Sequence, residues 1–158
     1  MKYNKLLLIV VSTTAAASAF AATTGGITLQ GTIAPATAIT VTGTAPYNSL
    51  DLNTTQTNLL VANVREVNNT STGYTVKLSS ANNGLLANGA ADSIAYTATY
   101  NDSAVSLTST PVAVTQSAPQ NVVVNTQKPF KISYTGVTDD SKMAGSYTDT
   151  LTFTISAP

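Results

Sequence analysis

Apolar and hydroxyl residues alternate with period two along much of this chain. The pattern runs Ile27-Thr28-Leu29-Gln30-Gly31-Thr32-Ile33, returns as Ile39-Thr40-Val41-Thr42, and is clearest in Thr150-Leu151-Thr152-Phe153-Thr154-Ile155-Ser156. Successive side chains of a strand point to opposite faces, so each segment pairs one apolar face with one hydroxyl face. Threonine, being β-branched, also favours strands. Further strands are expected at 59–67, 74–80, 94–100, 104–107, 112–115, 121–125 and 130–134. Turn chemistry separates them, in Asn68 to Gly73, Asn82-Asn83-Gly84, Asn88-Gly89, Asn101-Asp102-Ser103 and Thr138-Asp139-Asp140. A helical period is absent beyond residue 22, apart from a candidate turn near Leu85-Leu86. Many short strands at this spacing predict an all-β domain, a sandwich of Ig-like or Greek-key topology.

The start of the chain follows a different pattern. A basic Met1 to Lys5 precedes an unbroken apolar run, Leu6 to Val11, and an Ala-rich stretch to Ala22. That order predicts a secretory signal peptide over 1–21, cut after Ala21, with Ala19 as the second candidate. The apolar run is well short of the ~20 residues that cross a bilayer. The expected organisation is a signal peptide (1–21), an N-terminal extension (22–36) and one domain (37–158).

Composition narrows the partners. Only 9% of residues are charged, against about 25% in ordinary domains. Without Lys2 and Lys5, five scattered basic residues face seven acidic ones, a formal balance of −2. Nucleic acid and anionic membrane surfaces are therefore not expected partners. A surface made soluble by Thr, Ser and Asn suits a protein packed against copies of itself, where charges would need partners, and it equally suits a neutral secreted domain. The chain has no Cys and no His, so thiol, imidazole-metal and the usual acid–base chemistries are not expected, and no cofactor or metal is assigned. Asp139-Asp140, with Asp102 or Asp149, reads as a solvated turn rather than a cation site. Arg65-Glu66 reads as a solvated or edge pair, and Tyr74, Tyr96, Tyr100 and Tyr134 as core or sheet-face residues rather than a sugar site.

The two ends complement each other. The alternating strand at 150–156 leads only to Ala157-Pro158. The final strand that closes an Ig-type sandwich is expected to be missing beside it, leaving a groove lined by Leu151, Phe153 and Ile155 and an unpaired edge that invites another strand. At the other end, small residues from Ala22 lead to Ile27, Leu29, Gly31 and Ile33 before Pro35 interrupts. A glycine in such a row weakens the strand or marks a close backbone approach, here over a bulky residue of the partner. A detached strand at one end and a missing one at the other is the sequence form of strand addition between subunits. Burying Ile27, Leu29 and Ile33 contributes about 1.5–3 kcal/mol each, a sum comparable to a whole domain's stability of about 5–15 kcal/mol. The rival expectation is that 27–33 is the first strand of its own sandwich.

These residues resemble subunits of the chaperone–usher fimbriae of Gram-negative bacteria. Gly145-Ser146-Tyr147-Thr148-Asp149 before Leu151, Phe153 and Ile155 is similar to their Gly-x-Tyr-x-Asp run and last strand, and Gly26 to Pro35 resembles their donor segment. The cysteine-free colonisation-factor pilins and thin capsular-fibre subunits are closest in character. The resemblance implies an incomplete Ig-like sandwich completed by donor-strand exchange. Ile27, Leu29, Gly31 and Ile33 would be donor residues and Leu151, Phe153 and Ile155 acceptor residues. The partners would be identical subunits, a periplasmic chaperone that contacts the end at Pro158, and an outer-membrane usher, with a tip adhesin as a further candidate. The destination would be an extracellular fimbria reached through the periplasm, serving adhesion or biofilm formation. Many family members carry a disulfide and a penultimate Tyr; this chain has neither, with Ala157 at that position. Two alternatives remain open at this level: a monomeric secreted Ig-like binding module, and a minor adaptor or initiating subunit.

Overall fold

The computed structural model describes residues 24–89, 92–138 and 141–158. The expected signal peptide (1–21) and the Asp139-Asp140 pair lie outside the described residues. The chain divides into Met1–Thr32 and Ile33–Pro158, and the nine strands found among the described residues belong to the second unit. They are β1 (Thr37–Gly43), β2 (Gln56–Asn68), β3 (Tyr74–Ser80), β4 (Leu85–Asn88), β5 (Asp92–Tyr100), β6 (Ser103–Val105), β7 (Val112–Ser117), β8 (Val124–Tyr134) and β9 (Leu151–Ser156). No helix occurs among the described residues.

The strands form two sheets. One runs β1-β2-β8-β5-β4, with β6 also on β5; the other runs β7-β3-β9. Every pairing is antiparallel. Alternation along each strand supplies the core between the sheets. β5 turns Ile94, Tyr96, Ala98 and Tyr100 inward, β8 turns Phe130, Ile132 and Tyr134, and β3 turns Tyr74, Val76, Leu78 and Ser80. The arrangement is all-β, two sheets around a shared core, consistent with a β-sandwich. Phe153 of the small sheet reaches the large one, with its ring 5.4 Å from Phe130 at 86° and 5.7 Å from Tyr100. Edge-to-face pairs of this kind add about 0.5–1.5 kcal/mol beyond area burial.

Local chemistry explains where the chain departs from its hydrophobic pattern. The expected strands at 121–125 and 130–134 are one strand, β8, beginning at Val124. Pro129 argues for a break because it cannot donate to a ladder. Its carbonyl instead accepts the Asn101 N–H at 2.9 Å, just past the end of β5. Since N–H and C=O of one strand residue share a side, the missing donor faces a place where β5 has already ended, and the β2 ladder is unaffected. The candidate turn at Leu85-Leu86 is strand β4, paired with Ile94 and Ala95. Asn101 and Asp102 both have positive φ, 49° and 63°; they form the two-residue turn that joins β5 to β6.

Candidate docking groove

The groove is built from two sheet edges. Among the described residues, β9 pairs with β3 on one side only, in a register from Thr75↔Ser156 to Ser80↔Leu151, and β1 pairs only with β2. The free sides of β9 and β1 approach each other at one flank of the domain without forming a ladder. Every second residue of such an edge directs its N–H and C=O away from its own sheet. Between the edges lies a cleft of about 420 Å³. Leu151 and Phe153 line it, facing Val41 of β1, Val61 and Ala62 of β2, and Phe130 and Ile132 of β8. Tyr47 and Leu50 also line it, and the Tyr47 ring lies against the face of Gly43, where a Cβ would sit 2.7 Å from it. Val41 and Tyr47 are half exposed. A bulge between Leu60 and Ala62 presents both Val61 and Ala62 to the interior, widening the apolar floor.

Of the acceptor residues expected from sequence, Leu151, Phe153 and Ile155 share one half-buried face of β9 while Thr152, Thr154 and Ser156 are exposed. Leu151 and Phe153 lie in the cleft; Ile155 is further along the strand and is not among its lining residues. Of the expected donor residues, Ile27, Leu29 and Ile33 are 87%, 88% and 91% exposed, Gly31 is exposed, and 24–36 contains no strand.

The Tyr-x-Asp run before β9 has a mechanical role. Asp149 accepts hydrogen bonds from Tyr96 Oη (2.6 Å), Ser80 Oγ (2.5 Å) and the Asn82 N–H (2.9 Å). Ser80 is fully buried and its Oγ also accepts the Gly84 N–H. Burial and the adjacent carboxylate push the Tyr96 hydroxyl pKa well above its usual range. Two residues earlier, Tyr147 Oη lies 2.8 Å from Asp92 Oδ2. Asp92 also accepts from Lys142 Nζ (2.7 Å) and the Met143 N–H (2.8 Å). Those bonds, Lys142 foremost, hold its carboxyl below the ordinary carboxylate range. Thr148 exchanges backbone bonds with Ala87 of β4. The approach to β9 is thus pinned to β4 and β5 of the large sheet and, through Asp149, to the end of β3 in the small one.

One feature contradicts the sequence expectation. Arg65 is exposed, but Glu66 is fully buried rather than solvated. It accepts from Lys128 Nζ (2.7 Å), Tyr100 Oη (2.5 Å), Tyr74 Oη (2.8 Å) and Thr115 Oγ1 (2.9 Å). Lys128 Nζ also donates to Thr115 and lies 5.5 Å from the Tyr100 ring centre. Burial pushes the Glu66 carboxyl up, and the ammonium and three hydroxyls outweigh it, leaving the pKa lowered. The alternation itself carried the signal: Ala62, Val64, Glu66 and Asn68 share one face of β2. No group of three or more acidic side chains among the described residues is placed to hold a metal ion.

No protein-family model matches this chain, and no curated protein matches it by sequence.

Proposed function

We propose that this chain is the structural subunit of an extracellular fibre, an incomplete Ig-like sandwich whose cleft receives residues 27–33 of a neighbouring copy. The observation that carries the reading is the cleft of about 420 Å³ between the unpaired edges of β1 and β9. Strand order supports it. β1-β2-β8-β5 follows the A-B-E-D sheet of an Ig domain, and β3-β9 follows C and F. The G strand belongs beside F, and along β9 that place holds no strand among the described residues. An apolar floor with free backbone groups at its rim takes an extended segment by strand addition, in which main-chain bonds give affinity and alternate side chains give specificity. Ile27, Leu29 and Ile33 alternate suitably and are exposed. On this reading the chain is exported, held by a strand-lending chaperone and polymerised at an outer-membrane usher.

The test is deletion of residues 23–33 from the full chain. The full-length protein is expected to run as polymers in unheated detergent gels, and the deleted form to be recovered only as monomer or as a complex with the chaperone. Polymers that form normally without residues 23–33 sink the proposal.

A further inference from the structure

The end of the domain from which the extension departs is defined by three strand ends in a row. Thr37 opens β1, Asn68 closes β2 and Val124 opens β8, and they are partners across the sheet. The residues before Thr37, after Asn68 and before Val124 therefore share one pole. Asn69 grips the first of these stretches. Its N–H donates to the Ala36 carbonyl (3.0 Å), its Oδ1 accepts the Ala36 N–H (2.6 Å), and its Nδ2 donates to the Ala34 carbonyl (3.0 Å). One residue thus holds both sides of Pro35, whose ring already fixes its own φ. Alongside, the Gln120 N–H donates to the Ser71 carbonyl at 3.1 Å, tying the β7–β8 connection to the β2–β3 turn. That connection exposes Val122 (67%) and Val123 (69%), and neither 69–73 nor 118–123 carries a charge.

We infer that this uncharged pole is a docking face for a second copy of this chain, the copy that accepts the extension. Val122 and Val123 are its apolar contact, and Asn69 is the positioning residue that sets the angle between copies. The inference rests on the fibre reading above. Chain length selects the occupant. Ile33 is the last donor residue, and Ala34 is already fixed by Asn69. A residue seated on the acceptor is then one peptide unit, about 3.8 Å between Cα atoms, from a residue fixed on this pole. An acceptor held that close meets the neighbouring Val122 and Val123, whose exposed side chains are apolar surface available for burial.

The absence of native cysteine gives a direct test. Val122→Cys and, as control on the exposed outer face of β5, Thr97→Cys are introduced singly into the full chain. Maleimide labels Val122→Cys roughly tenfold more slowly in the polymer than in depolymerised monomer, because a docked contact excludes water, while Thr97→Cys labels at one rate in both. Asn69→Ala still polymerises but gives fibres of shorter persistence length in electron micrographs. Asn69→Asp, which keeps the acceptor for the Ala36 N–H and loses the donor to the Ala34 carbonyl, falls between. Equal labelling of Val122→Cys in polymer and monomer overturns the docking face while leaving the fibre reading intact, and unchanged stiffness in Asn69→Ala overturns the positioning role. A full-length wild-type chain that forms no polymer overturns this inference together with the reading beneath it.

Discussion

Residues 27–33 and 150–156 carry nearly the same alternation of apolar and hydroxyl side chains, yet one has no strand and the other is β9. The difference lies in what each segment touches. β9 is laddered to β3, its Phe153 packs on Phe130 and Tyr100, and its approach is pinned through Asp149 to Ser80, Tyr96 and Asn82. Ile27 and Leu29 are almost fully exposed. A period-two pattern states which face would be buried if a partner were present, and the partner decides whether a strand forms. Isolated strands are at best marginal in water.

The comparison can be broken from the β9 side with the largest effect. Phe153→Ala removes the ring that joins the two sheets and is expected to cost about 3 kcal/mol, the lower end of the range for aromatic truncation because Phe153 is only half-buried. Chemical denaturation of the depolymerised protein measures it, and a loss under about 1 kcal/mol would show that β9 does not anchor the domain. Asp149→Ala leaves the buried Ser80 Oγ and Tyr96 Oη without their acceptor and is expected to cost about 2 kcal/mol, with faster amide exchange along β9 than along β3. From the other side, Leu29→Ser is expected to change monomer stability by no more than about 0.5 kcal/mol, as at an exposed position, while lowering polymer yield sharply. An equal loss in monomer and polymer would mean that Leu29 packs within its own copy.

Acid sharpens the contrast between the core and its edges. The pKa values of Glu66 and Asp92 are lowered on folding from ordinary values of 4.5 and 3.8. The unfolded chain therefore binds protons first on acidification. Their contribution is complete above about pH 4.5 and declines as pH falls through that value toward the folded-state pKa values. Thermal melts across pH 2–6 are expected to show a falling midpoint below about pH 4.5. Glu66→Gln should flatten part of that slope while lowering stability at neutral pH, since Lys128 then loses its counter-charge inside the sandwich. An unchanged slope in Glu66→Gln would remove Glu66 as its source.

Much of this architecture was legible in the chain. β3 falls at 74–80 as its alternation requires, the Asn-rich turns lie between strands, and four core tyrosines sit where the pattern put them, each 7% exposed or less. What was not legible depends on tertiary neighbours. Glu66 looks solvated beside Arg65 until Lys128, Tyr74, Tyr100 and Thr115 converge on it from three other strands and the β7 edge. Pro129 looks like a strand breaker until its missing N–H is seen to face the end of β5. The cleft was half legible: alternation named Leu151 and Phe153, whereas its opposite wall at Val41, Tyr47 and Leu50 comes from a segment 100 residues earlier in the chain.

The most direct test of the central claim is to find where Leu29 sits in the assembled protein. A photo-reactive side chain replaces Leu29, and isotopically light and heavy preparations of the chain are mixed before assembly and cross-linked after it. The account predicts mixed light–heavy products, with the cross-link on β9 or β1 of the other copy. Cross-links confined to single copies, or mixed products that avoid both strands, would contradict it.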